Sequence, residues 1–174
     1  MSMLRRQPLA YLVLAGLIIV LALGVRLFGR DWDDGLYLHP DERFIAFVIS
    51  DRIHAPDLND LGAVLDPERS PLNPRSDGPD GQPRSYAYGS LPLFVTDAVA
   101  AVAGAISGRD LNSYAAIVPV GRFLSAILDT ATIVLAMAVA RQACGRAAAL
   151  VTGLLLAGSA ILIQLAHFFT VDTL

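Results

Sequence analysis

Charged residues at the edges of long apolar runs are the first candidates for chemistry in this 174-residue sequence. Arg26 follows the first apolar run, Asp41 and Glu42 lie in the polar loop after it, and Arg122 and Asp129 interrupt a later run. Ionisable residues inside a membrane-spanning segment are costly and are functional candidates by default. Arginine can hold a phosphate through two parallel hydrogen bonds, and a carboxylate can act as a general base.

The composition indicates an integral membrane protein. Hydrophobic residues make up 55% of the chain and charged residues 17%, against roughly 45–50% and about 25% in ordinary globular domains. This much apolar surface excludes disorder for most of the chain, and the single cysteine, Cys144, excludes a disulfide scaffold. A net charge of −3 gives no electrostatic footprint for nucleic acid.

The apolar runs predict an all-α membrane protein with about three transmembrane helices. The N-terminus and first span are predicted over residues 1–28, and we expect this span to be retained because its apolar run exceeds that of a cleaved signal. The second span is predicted over 119–141 and the third over 147–169. Residues 170–174 begin another extracytoplasmic loop, and we expect the chain to be a truncated N-terminal piece.

The long first loop, residues 29–118, contains two predicted juxtamembrane helices. One is an amphipathic helix near 41–54. Its apolar face consists of Phe44, Ile45, Val48, Ile49 and Ile53. The other, near 91–106, is short for a crossing, and Asp97 at its centre would cost about 2.5–3.5 kcal/mol on insertion scales. We therefore place it in the membrane interface, with a fourth crossing as the alternative.

The arginine distribution favours the three-span arrangement. Three spans put Arg5, Arg6, Arg141 and Arg146 together on the cytoplasmic side, as the positive-inside rule prefers. Four spans would separate the first pair from the second. We expect a multi-pass protein of the cytoplasmic (inner) membrane whose site faces outside. The residues that would share this face include Asp41, Glu42, Arg122 and Asp172.

Four patches follow one another along the chain. They are Val25-Arg26-Leu27, His39-Pro40-Asp41-Glu42, Gly121-Arg122-Phe123-Leu124-Ser125-Ala126 and Thr170-Val171-Asp172-Thr173. Together they resemble the type C glycosyltransferases, in particular the protein O-mannosyltransferase and lipid A aminoarabinose transferase group. Tyr88-Gly89-Ser90-Leu91-Pro92-Leu93-Phe94 resembles the proline-containing start of a juxtamembrane helix in the same group.

The resemblance implies a membrane glycosyltransferase that uses a polyprenyl-phosphate-linked sugar as its donor. It implies Asp41 as the catalytic base, with Glu42 and Asp172 as accompanying catalytic residues. Arg26 and Arg122, at the depth of the lipid phosphate, are predicted to bind the donor phosphate, because arginine stays charged and binds phosphate with a planar fork. Members of the group have many more spans, so we expect this piece to be inactive alone.

Plainer interpretations of the same residues stay open. Arg26 could anchor the first span at the interface, and Asp41 could be a helix N-cap. Arg122 and Asp129 could form a structural polar stripe between spans. The run Asp31-Trp32-Asp33-Asp34 contains the Asp-x-Asp pattern of soluble nucleotide-sugar transferases, but it lacks their strand–helix context, so we interpret it as a solvated loop.

Two other classes of function compete with the enzyme. A non-catalytic membrane-assembly protein is one, and a transporter or channel piece is the other. The polar pathway of a transporter would consist of Asp97, Arg122, Asp129 and Asp172. His39, His54 and His167 have no close metal-ligand spacing, so no metal site is predicted and a divalent cofactor has no support. Expected partners are the lipid-linked donor and membrane lipids, without nucleic acid; the sugar and its acceptor stay open.

Overall fold

The computed structural model describes residues 8–53, 59–68, 70–73, 86 and 89–170, and the regular secondary structure in these ranges is helical. No strand occurs among them, so the predicted all-α fold is confirmed. The helices are α1 (Leu9–Leu27), α2 (Pro40–Arg52), α3 (Leu61–Leu65), α4 (Leu91–Ser107), α5 (Tyr114–Cys144), α6 (Arg146–Ala157) and α7 (Ala160–Ala166).

Two of these helices, α1 and α5, are long and apolar enough to cross a membrane, and α6 with α7 forms a third candidate span. The 19 residues of α1 rise about 28 Å, close to the ~30 Å hydrocarbon thickness of a bilayer. Much of its apolar surface points away from the bundle, as a lipid-facing surface requires. The outward side chains include Leu9, Leu12, Val13, Leu14, Leu17, Val20 and Leu21. The prediction of about three spans is confirmed.

The long helix α5 is the centre of the bundle and packs against α1, α2, α4, α6 and α7. Its 31 residues rise about 46 Å, so it extends well beyond the hydrocarbon core and beyond the predicted limits of 119–141. Pro119 lies inside it and has no N–H to bond the carbonyl of Ala115. The Tyr37 hydroxyl donates to that carbonyl instead, which joins the first loop to α5.

The third span differs from the uninterrupted helix predicted over 147–169. It breaks at Gly158 and Ser159, and α6 and α7 are bent by 60° relative to each other. Glycine and serine are weak helix formers, and a break inside a membrane is tolerated where the freed backbone groups find partners. The Gly158 N–H donates to Leu154 O at 3.0 Å. The guanidinium of Arg26 donates to two further carbonyls, those of Leu156 and Ala157.

The amphipathic helix α2 lies close to its predicted limits and buries the predicted face. Ile45, Val48, Ile49 and Ile53 are all buried. The N-cap is His39, whose Nδ1 accepts the Asp41 N–H at 3.3 Å. Asp41 therefore occupies the first turn, and its interpretation as the N-cap is wrong.

Helix α4, the second juxtamembrane element, packs against α2 and α5 alone among the described helices. It is too short to be one of the two or three candidate membrane spans. Asp97 is buried, and the Asn112 side-chain amide donates to its carboxylate at 2.6 Å. Its charge therefore faces a polar partner within the protein.

Candidate functional site

A buried arginine on α5 ties the first loop to the bundle. Arg122 is 2% exposed. Its Nε donates to Glu42 Oε1 at 2.8 Å, and its Nη2 donates to Glu42 Oε2 at 2.8 Å and to Asp33 Oδ2 at 2.7 Å. Its Nη1 donates to Asp33 Oδ1 at 3.0 Å and to Arg30 O at 2.7 Å. A guanidinium has five N–H donors, so every donor of Arg122 is used.

The two carboxylates around Arg122 are satisfied from other directions as well. Glu42 Oε1 accepts the Phe169 N–H at 2.6 Å. Asp33 accepts the N–H groups of Gly35 and Leu38 at 3.3 and 3.2 Å, which fixes the turn before α2. The hydrogen bond from Arg122 is the largest cause that holds the pKa of Asp33 below its ordinary value. Two carboxylates and one guanidinium leave the cluster with a charge of −1.

The glycine that precedes Arg122 explains how Phe169 reaches the cluster. A Cβ at Gly121 would overlap the Phe169 ring, so only glycine permits this packing. Phe169 is fully buried, and its backbone N–H points at Glu42. The Gly121-Arg122 patch and the end of the third span therefore meet through direct packing.

Arg26 has a separate set of partners and is fully buried. Its Nε forms an ion pair with Asp129. Its Nη1 donates to Ala22 O at 3.0 Å and Ala157 O at 3.3 Å, and its Nη2 donates to Leu156 O at 3.2 Å. The last two carbonyls end α6, where intrahelical partners are missing and a cation is favourable. Arg26 therefore caps the broken third span instead of reaching outwards to the interface.

The predicted site residues are only partly brought together. Glu42 and Arg122 are in contact, and Asp41 precedes Glu42 in the first turn of α2. Asp129 and its partner Arg26 lie about 10 Å further along α5, from the rise of seven residues. A phosphate at either arginine would have to displace an existing partner, and their role in phosphate binding stays a prediction. Asp172 lies outside the described residues.

Two residues of the first loop were missed or misinterpreted in the sequence. Asp33 is 3% exposed and paired with Arg122, so the solvated-loop interpretation is wrong for it, although Asp31 and Asp34 are exposed. Arg30 is half-buried, and its guanidinium carbon lies 5.6 Å from the Phe123 ring centroid. Among the described residues it pairs with no carboxylate, so it has donors available at this end of the bundle.

An aromatic layer borders the cluster on the side of α7. The guanidinium carbon of Arg122 lies 5.6 Å from the centroid of the Trp32 ring. The Trp32 and Phe168 rings pack edge to face, with their centroids 5.6 Å apart. The His39 ring lies 4.8 Å from Phe168. A cavity of about 460 Å³ opens beside this layer. Within the described ranges, no three histidine, cysteine, aspartate or glutamate side chains form a group that could hold a metal ion.

Comparison with known protein families, curated proteins and solved structures gives no match to this chain. The resemblance to type C glycosyltransferases therefore depends on the short patches themselves and on how they meet in the fold.

The lowered pKa of Asp33 predicts a pH-dependent contribution to stability. Because the folded-state value lies below the unfolded one, the Asp33–Arg122 pair stabilises the fold fully above about pH 4 and loses this contribution as the pH falls through the lowered pKa. We expect Asp33→Asn to lower the melting temperature at pH 7 and the difference from wild type to shrink below pH 4. Melting curves in one detergent measure this, and a difference that stays constant to pH 3 would contradict it.

Proposed function

We propose that the protein is a membrane glycosyltransferase that transfers a sugar from a polyprenyl-phosphate donor to an acceptor at the extracytoplasmic face. The observation that supports this is the meeting of the resemblance patches. Glu42 and Arg122, from two patches 80 residues apart, bond directly. Phe169, which immediately precedes the fourth patch, donates to the same Glu42. Arg26, from the first patch, lies in the last turn of α1 and pairs with Asp129 of α5, the helix that holds Arg122.

The proposed reaction gives each group one task. An acceptor hydroxyl or amine gives its proton to the Asp41 carboxylate as its heteroatom bonds to the anomeric carbon. The bond between that carbon and the phosphate oxygen breaks, and polyprenyl phosphate leaves with the bonding electron pair. Arg30 is the arginine that we place against this phosphate, because its guanidinium has no carboxylate partner among the described residues and lies beside the apolar ring of Phe123.

In this proposal Glu42 and Arg122 are positioning residues. Their mutual hydrogen bonds, with those of Asp33, fix the start of α2 and so the place of Asp41. Catalytic groups act only within hydrogen-bond reach of the proton that they transfer. A rigid support for α2 is what such a base requires.

The sidedness of the proposal is tested by reporter fusions. The Arg141 guanidinium carbon lies 5.4 Å from the Tyr11 ring centroid, so the start of α1 and the end of α5 lie at one end of the bundle. We expect a fusion at residue 110 to report the outside and one at residue 144 the cytoplasm of a bacterial inner membrane, following the positive-inside rule. The reverse pattern would remove the proposed site from the extracytoplasmic face.

Sugar transfer itself is tested with radiolabelled polyprenyl-phosphate sugars. Membranes that contain the protein are incubated with each donor, and label is followed from the lipid to a protein or lipid acceptor. We expect transfer from at least one donor and none from the nucleotide sugar alone. Absence of transfer from every donor, in membranes that hold correctly inserted protein, would favour a non-catalytic assembly role.

The transporter alternative receives less support from the geometry. Arg122 is saturated by Asp33 and Glu42, and Asp129 is paired with Arg26. These form two separate groups in which each charged side chain is ion-paired, instead of a continuous row of available polar side chains. A transport pathway through the described helices would require the ion pairs of both groups to break.

A further inference from the structure

A cavity beside the Arg122 cluster has the size and lining of a small-molecule site. Its volume of about 460 Å³ lies within the roughly 300–1,000 Å³ range of ligand pockets. It opens between the end of α1 and α7. The lining residues are Gly29, Trp32, Gln164, His167 and Phe168. None of these belongs to the catalytic or phosphate-binding residues discussed above.

The Trp32 side chain is a fixed but accessible aromatic surface in this cavity. It is 44% exposed although Arg122 and Phe168 hold its ring from two directions. Arg122 itself is immobilised by five hydrogen bonds. An indole that is held in place yet partly open offers a large apolar contact area at little entropic cost. The C–H face of a pyranose ring is complementary to such a surface.

The side-chain amide of Gln164 favours a sugar over a lipid chain as the ligand of this cavity. It is exposed on α7, inside the candidate third span, and its amide has no hydrogen-bond partner among the described residues. An unpaired amide in hydrocarbon is costly. An acyl chain cannot reduce this cost, whereas a hydroxyl group can both donate to and accept from the amide.

His167 forms a rigid wall of the cavity. Its Nδ1 lies 2.6 Å from Ile163 O and its Nε2 lies 2.6 Å from Phe28 O. Both ring nitrogens therefore face carbonyl oxygens of the protein. This leaves the Gln164 amide and the Trp32 indole N–H as the polar side-chain groups of the lining that have no partner among the described residues.

We infer that this cavity binds the sugar ring of the substrate, with Trp32 stacked against the ring and Gln164 bonded to a hydroxyl. The inference rests on the proposed function and gives that function a sugar subsite. The cavity also lies close to the proposed base. Phe168, which lines it, contacts His39, and His39 Nδ1 accepts the backbone N–H of Asp41.

The chain contains one tryptophan, so its fluorescence reports on this cavity alone. The 174-residue chain in lipid nanodiscs is titrated with methyl α-D-mannopyranoside and methyl β-D-glucopyranoside, with sorbitol as an open-chain control. We expect a saturable change of Trp32 emission with at least one pyranoside and none with sorbitol. Gln164→Ala should weaken the apparent affinity about three- to tenfold, the effect of one lost hydrogen bond.

The matched control is Gln142→Ala, because Gln142 is an exposed glutamine at the far end of α5. It should leave the titration unchanged. Strong quenching of Trp32 by phosphatidylcholine with brominated chains, without any response to pyranosides, would assign the cavity to lipid and overturn the inference. Sugar transfer without a response of Trp32 would also overturn it, while leaving the proposed function intact. A saturable, Gln164-dependent response without transfer would support the subsite and count against the transferase.

Discussion

Arg122→Leu is expected to lower the melting temperature in detergent by roughly 6–20 °C. The substitution leaves Asp33 and Glu42 buried, adjacent and without their cation, and breaking a buried ion pair typically costs about 3–5 kcal/mol. In soluble domains of this length, each kcal/mol shifts the melting temperature by about 2–4 °C. Thermal unfolding followed by helical circular dichroism measures the shift.

The charge of the cluster, and not the arginine side chain alone, should cause this loss. Replacing a buried charged group as a whole is often far less damaging than removing one member. The triple variant Arg122→Leu, Asp33→Asn and Glu42→Gln should therefore recover a large part of the lost stability. A single variant that melts like wild type, or a triple variant that is less stable than the single one, would contradict the explanation.

Arg122→Lys separates the positioning role from the predicted phosphate-binding role. Lysine keeps the charge but has three donors on a point-like ammonium, so at least two of the five hydrogen bonds are lost. If Arg122 is a positioning residue, the variant should have lower stability and lower turnover, with donor KM little changed. If Arg122 binds the donor phosphate, the variant should have a raised donor KM and should still insert and fold.

Most helices of the fold could be predicted because they have a local signal, but the short helix α3 was not predicted. The apolar length predicted α1, and the spacing of apolar residues predicted the buried face of α2. Gly158-Ser159 was also a visible signal for the break in the third span, since glycine inside an apolar run weakens a helix. Local patterns of this kind need no knowledge of neighbouring elements.

The ion pairs could not be predicted, because they depend on how separate helices are rotated against each other. Asp33 and Arg122 are 89 residues apart, and Arg26 and Asp129 are 103 apart. Asp33 lies within a turn rich in acidic residues, so its sequence context is that of an exposed loop. It is buried where Arg122 of α5 binds it, a contact that the loop sequence does not show.

For the proposed glycosyltransferase, Asp41→Asn is expected to reduce turnover by about 10²–10⁴-fold, the usual contribution of a general base. Asn has nearly the same shape but cannot accept the acceptor's proton. Asp41 lies in the first turn of α2, where the helix dipole favours a negative charge. Donor KM should stay within about threefold, since Arg30 and not Asp41 is placed against the phosphate.

The matched control is Asp51→Asn, an exposed carboxylate in the last turn of the same helix. It removes the same charge from α2 at a distance from the site and should leave turnover unchanged. Rates are compared at equal amounts of membrane-inserted protein, with melting temperatures measured alongside. Glu42→Gln should lower stability and turnover together, because Glu42 supports α2 through Arg122 and Phe169.

The combination of these variants separates the base from its support. Removing the base while Glu42 and Arg122 stay in place should give a folded protein with wild-type donor affinity and very low turnover. This result is expected for Asp41→Asn alone. If Asp41→Asn keeps turnover within about threefold of wild type, well short of the loss of a general base, the carboxylate serves only to stabilise the first turn of α2. The proton would then have to go to another group at this end of the bundle, such as His39, whose ring lies against Phe168.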